Sequence, residues 1–186
     1  GNLDDARLEE LTKRLPIGPL SGRVSVDVQQ ARFAEGMLTA VRGRGAIRDL
    51  GLSFLSSVLG GGPVSGSASI HLDSVDIAKD HVHRLQFSGQ MQDVSLEQVL
   101  RPIGRGSATG RLAIRVNSVD IVDDAIKSAD VEIRALPPAG EAGTIDRELL
   151  LGLAEKALDM KWPPALPQKL LPAKVEYAEF GMRLLV

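Results

Sequence analysis

The sequence predicts an α+β fold: three helix–turn–β-hairpin repeats of 44 residues, then a terminal helix and strand, forming a curved antiparallel sheet with helices on one side. Three observations carry this expectation. A short motif recurs at fixed spacing, leucines fall at the period of a helix, and apolar residues alternate at the period of a strand. The motif is Gly18-Pro19-Leu20-Ser21-Gly22. It returns 44 residues later as Gly62-Pro63-Val64-Ser65-Gly66, and after another 44 as Gly106-Ser107-Ala108-Thr109-Gly110. The stretches that follow, RVSVDVQQARF, SASIHLDSVDI and RLAIRVNSVDI, align without a gap. Upstream, Asp5, Asp49 and Asp93 align, as do Leu8, Leu52 and Leu96, and Leu15, Leu59 and Ile103. A period of this length marks a repeat architecture. The units run over 5–48, 49–92 and 93–136; with the C-terminal helix and closing strand in 144–186 they make one repeat-built domain across 1–186.

Each unit opens with a short amphipathic helix. Leu8, Leu11 and Leu15 lie at i, i+3 and i+7, one face of a 3.6-residue period. Asp5, Asp49 and Asp93 stand where an N-cap or first-turn acid accepts free backbone N–H groups. The Gly-rich turn comes next, with glycines suited to positive φ. A strand follows, alternating through Val24, Val26 and Val28, then Ala68, Ile70 and Leu72, then Leu112, Ile114 and Val116. The alternation then slips by one: the next apolar pairs are Ala31 and Phe33, Val75 and Ile77, Val119 and Ile121. A side-chain period of two cannot absorb an odd step, which predicts a β-bulge or sharp bend at that place in every unit. Polar turns near Glu35, Asp80 and Asp124 lead to second strands, clearest in Leu85, Phe87 and Met91 and in Val131 and Ile133. Gly43 and Gly45 sit on the same face of the first unit, where a helix or another backbone comes close. A connection of a few residues makes each strand pair an antiparallel hairpin.

Beyond the third unit the pattern changes. Thr144 or Asp146 caps a longer helix over 146–160, with a wide apolar face that includes Leu149, Leu150 and Leu153. Pro163, Pro164, Pro167 and Pro172 break regular structure after it. AKVEYAEFGMRLLV reads as a last strand with the same slip, a half-unit that closes or extends the sheet. A distinct terminal unit is expected in a repeat array.

Composition excludes several functions. The net charge of −2 argues against a general electrostatic nucleic-acid binder. The absence of Cys removes disulfides, thiolate nucleophiles and Cys-zinc sites. Aromatic residues at 3% are too few for a stacking platform or a sugar cleft. No apolar run approaches the ~18 residues of a membrane span. Gly1 at the start, where Met is usual, suggests a trimmed chain from which a signal or anchor has been removed.

Candidate chemistry is thin. His81 and His83 share a strand face and with His71 offer imidazoles for a metal, but a solvated hairpin end is the simpler reading and no metal site is assigned. Asp76, Asp80, Asp120, Asp123 and Asp124 read as repeated turn chemistry before they read as catalytic carboxylates. Gly60-Gly61-Gly62 lacks the ending of a phosphate loop. Ser21 and Ser65 sit outside a nucleophile elbow, without a His placed to activate them. Arg42, Arg44 and Arg48 form a basic strip, either a solvated face or a contact for anionic headgroups. No catalytic residues, cofactor or enzyme activity are therefore expected. The informative surface is apolar. Val26, Ile70, Ile114, Phe87 and Val131 on the strands, with Leu150 and Leu153 on the helix as a lid, are the expected lining of a ligand groove.

The starts GPVSGSASIHLDSVDI and GSATGRLAIRVNSVDI, and the link FSGQMQDVSLEQVLRPIG with Gly89 and Asp93, resemble units of the AsmA-like, TamB-related envelope proteins. The similarity covers residues 5–136 and, weakly, the last strand. It implies a periplasm-facing protein, inner-membrane anchored in its full length through a segment outside this sequence. It also implies binding or movement of a lipid or other apolar ligand along a β-sheet groove, with no catalytic residues. A short chain with a helix in every link fits a small lipid binder better than a bridge. The alternative is a structural or assembly module that binds an envelope protein through sheet edges or helices.

Overall fold

The computed structural model describes all residues except 13–19, 35–36, 57–63, 79–80, 102–105 and 157–171. Its strands are β1 (Asn2–Arg7), β2 (Arg23–Ala34), β3 (Met37–Gly51), β4 (Ser67–Ala78), β5 (His81–Ser95), β6 (Arg111–Val122), β7 (Ala125–Leu136), β8 (Gly143–Asp146), β9 (Lys174–Tyr177) and β10 (Phe180–Leu185). Eight of them form one antiparallel sheet in the order β1-β2-β3-β4-β5-β6-β7-β10, and β8 pairs with β9 in a separate two-stranded ribbon. Successive hairpins therefore join edge to edge in a single sheet.

The α+β expectation is corrected here: the fold is mainly β. Among the described residues the helices are α1 (Leu8–Thr12), α2 (Leu96–Leu100) and α3 (Arg147–Lys156), with described spans of five, five and ten residues. In the second unit a 3-10 turn, Leu52–Phe54, opens the link. A single turn spends nucleation entropy without the following bonds that recover it, so such segments hold only through tertiary contacts. They do not form a layer along one side of the sheet. Instead each acts as a plug at the end of the strands. Leu15, Leu59 and Ile103, expected to complete the helical faces, lie outside the described residues.

The repeat survives in the backbone. Gly22, Gly66 and Gly110 all have φ between 116° and 135°. Their carbonyls accept from Leu8 N, Leu52 N and Leu96 N. Those three leucines are buried, as are Val24, Ala68 and Leu112 at the starts of β2, β4 and β6. With Leu50, Val64, Val94, Leu100, Ala108, Ala135, Ile145 and Leu149 they form the core cluster. All of these lie at the strand ends joined by long connections, hereafter the link end.

The predicted slips are β-bulges. Pairing shifts between Val28 and Gln30, Leu72 and Ser74, and Val116 and Ser118, the same place in each unit. Asp5, Asp49 and Asp93 are not helix caps. Each has positive φ, from 49° to 56°, inside a second set of bulges at the ends of β1, β3 and β5. Asp tolerates this left-handed conformation better than most residues. Asp5 pairs with Arg23, and Asp93 with Arg111 at 2.7 Å. The cap of α2 is Ser95, whose hydroxyl accepts from Gln98 N. The expected final strand divides in two. Its first part, β9, pairs with β8, and its second part, β10, closes on β7. Asp146 ends β8, and its carboxylate accepts from Ser107 N at 2.6 Å and from Ser107 Oγ at 3.0 Å. The terminal ribbon is thereby tied to the third unit.

Candidate functional site: the apolar face of the sheet

In an antiparallel sheet, directly paired residues share a face, so the register defines what each face presents. One row runs Leu3, Val26, Gly45, Leu72, Phe87, Val119, Ala129. The next row toward the link end runs Val24, Ile47, Ile70, Gly89, Val116, Val131, Leu184. The third runs Leu50, Ala68, Met91, Ile114, Ile133, Met182. Every member is apolar or glycine. The five strand residues expected to line a groove, Val26, Ile70, Phe87, Ile114 and Val131, thus fall on one face in three adjacent rows. All five are half-buried.

The other face is polar. Ser69, Gln90, Arg115, Glu132 and Arg183 make one of its rows. Ion pairs cross it: Arg42 with Asp76, Arg44 with Asp27 at 3.2 Å, and Arg183 with Asp130 at 2.8 Å. Two arginines of the predicted basic strip are thus neutralised by neighbouring strands. An open hollow of about 550 Å³ lies among Ser69, His71, Ser88, Gln90, Arg115 and Asn117.

Cover over the apolar face is concentrated at the link end. Val26, Ile47, Ile70, Met91 and Ile133 pack against the core cluster, whereas Phe87, Val116 and Val131 stand beyond it. Side-chain-free positions shape this face. A Cβ on Gly43 would lie 2.5 Å from Asp27 O, one on Gly45 2.6 Å from Ser25 O, and one on Gly89 2.5 Å from Ser69 O. The close backbone expected at Gly43 and Gly45 is the neighbouring strand.

Leu150, expected on a lid, packs at the link end against the core cluster, off the rows that hold Phe87 and Val131. Leu149 beside it is the buried anchor of α3, 1% exposed. The Leu153 side chain and residues 157–160 lie outside the described residues. Sequence reasoning left out Met182 and Leu184, which carry the apolar rows to the sheet edge. Their alternation with Phe180 was the available signal.

The other candidates have structural roles. Ser65 N and Oγ donate to Gln98 Oε1, and Thr109, at the equivalent position, binds Thr144. These hydroxyls join one unit to the next. Asp120 faces Arg84 at 3.6 Å. His71 sits apart from the other histidines and pairs with Asp73 at 3.4 Å. Gly60-Gly61-Gly62 and Asp80 lie outside the described residues.

No family model, curated protein or solved structure matches the chain. Among the described residues, no helix is long and apolar enough to cross a membrane.

Proposed function

We propose that this is a non-catalytic protein of the cell envelope that binds a lipid or other apolar ligand along the apolar face of its sheet, or helps to move it. The observation that carries the reading is the face itself: three apolar rows together reach all eight strands, and among the described residues the core cluster packs on them mainly at the link end. Apolar surface left accessible on a sheet face is costly in water unless something occupies it. An acyl chain suits a face that offers no charge and no directional hydrogen-bond donor. The resemblance to AsmA-like units supports a periplasmic setting and inner-membrane anchoring of the full-length protein.

A second reading rests on a separate observation. Among the described residues, the large exposed apolar side chains gather at the lateral edges: Leu3 on β1, Phe33 on the part of β2 that β1 does not reach, Ile126 on the part of β7 that β10 does not reach, and Phe180, Met182, Leu184, Leu185 and Val186 at the C-terminal edge. An edge of this kind accepts a strand from an envelope protein partner.

Native mass spectrometry with lipid extraction separates the two. Co-purified lipid, and saturable binding of a fluorescent fatty acid, are expected. Phe87→Asp should weaken that binding at least ~10-fold by placing a charge in the apolar contact. Leu72→Ser, a milder change in the same row, should weaken it less, and circular dichroism establishes that both variants fold. Folded variants that bind as tightly as the parent overturn the lipid reading. A lipid-free monomer that captures strand peptides supports the edge reading.

A further inference from the structure

We propose that His81, His83 and Asp123 form a binding site for a divalent transition-metal ion of the zinc type, which clasps the start of β5 to the β6–β7 turn. The geometry is set by the backbone. Asp123 N donates to His83 O at 3.3 Å and Asp124 N to Val82 O at 3.1 Å. Val82 N donates back to Asp124 Oδ1 at 2.8 Å. The turn is therefore docked beside the two histidines. Both of its residues, Asp123 and Asp124, have positive φ, 49° and 58°. Asp tolerates this left-handed conformation, and the pair brings two carboxylates beside the histidines.

The donor set suits the metal. One ligand atom from each of His81, His83 and Asp123 lies within 4.8 Å of the others. Asp123 Oδ1 is 3.7 Å from His81 Nε2 and 3.8 Å from His83 Nδ1. Metal–ligand bonds of about 2.1 Å at a tetrahedral ion put ligand atoms roughly 3.4 Å apart. Small rotations of exposed side chains close the difference. The two rings already meet edge to face, with centroids 4.8 Å apart. His81 Nδ1 lies against the Asp124 carboxylate. A carboxylate on one ring nitrogen holds the proton there and leaves the lone pair on the other, so Nε2 is the free ligand atom. Asp124 is thus a positioning residue, and water completes the coordination. Two imidazoles and one carboxylate favour zinc, nickel or copper over magnesium or calcium.

The test is a titration of the untagged protein with zinc chloride by calorimetry at neutral pH, repeated with cobalt to read tetrahedral absorption bands. One ion per chain is expected. His83→Ala and Asp123→Asn should each weaken binding about 10-fold or more, and Asp124→Asn by about 10-fold through loss of ring orientation. His71→Ala should bind as the parent does, since His71 pairs with Asp73. Absence of saturable zinc binding below ~1 mM, the level of a −4.1 kcal/mol interaction, overturns the site. So does equal weakening by His71→Ala and His83→Ala. The outcome does not depend on whether the apolar face carries lipid.

Discussion

Asp146 shows how one residue ties the end of the array to its body. Its carboxylate receives two hydrogen bonds from Ser107, across 39 positions of sequence. The backbone bond from Ser107 N, the hydroxyl bond and the nearby Lys174 hold its pKa below the ordinary value of 3.8. A folded-state pKa below the unfolded one means that ionised Asp146 favours the fold. That contribution is complete above the unfolded value and is lost as pH falls below it toward the lower folded value. Asp146→Asn should therefore reduce the melting temperature at pH 7, and the gap to the parent should shrink as pH falls below 3.8. Thermal melts at pH 7, 4 and 2.5 check this. A gap that stays constant over that range means that the charge contributes nothing.

At the scale of elements, the plugs work through their leucines more than through their helicity. Leu96 is 1% exposed and its N–H is held by Gly110 O, while α2 has only five residues. Leu96→Ala should cost about 2–5 kcal/mol, the range for a buried leucine whose cavity cannot collapse. Glu97→Gly, on the exposed side of the same turn, should cost about 1 kcal/mol, its helix-propensity difference. Urea denaturation of both variants measures the contrast, and equal costs would mean that the helix itself matters. The same contrast explains what was legible in the sequence. The strands and their bulges could be read because a period of two, broken at one place, leaves a trace at Val28, Leu72 and Val116 in three copies. The rows of the candidate site could be read for the same reason, since alternation assigns Val26, Ile70 and Ile114 to one face before any pairing is known. The weight of helix could not. Leu8 and Leu11 satisfy a helical period over two positions whether the helix runs for one turn or four, and the local pattern does not say where the leucine side chains are received. Nor could the cluster of His81, His83 and Asp123 be read, because it forms between two hairpins whose neighbour relation depends on how units join.

Across the whole molecule, stability should be graded along the strands more than across them. The sheet has almost the same construction in each unit, so unfolding one hairpin costs much what unfolding another does. Along any strand the situation changes within a few residues. At the link end Leu50, Val94 and Ala135 sit in the core cluster, whereas toward the turns of the inner strands Ile77, Val82 and Ile121 are only half-buried. Ladder hydrogen bonds are present at both ends, so hydrogen bonding does not separate them. Local opening is resisted by buried apolar contacts, and these are concentrated at one end. Native-state hydrogen exchange should find the slowest amides at Leu52, Leu96 and the link-end residues of β3, β5 and β7. Amides at the start of β7 and the end of β2 should exchange faster by at least ~100-fold, equivalent to roughly 2.7 kcal/mol of opening free energy. If an acyl ligand occupies the apolar face, it adds cover beyond the link end, where among the described residues the core cluster does not reach. The turn-end and mid-strand amides should then slow on ligand addition, and the link-end amides should change little. Uniform protection along the strands without ligand would show that the apolar rows are already buried, and would remove the physical reason for a ligand there.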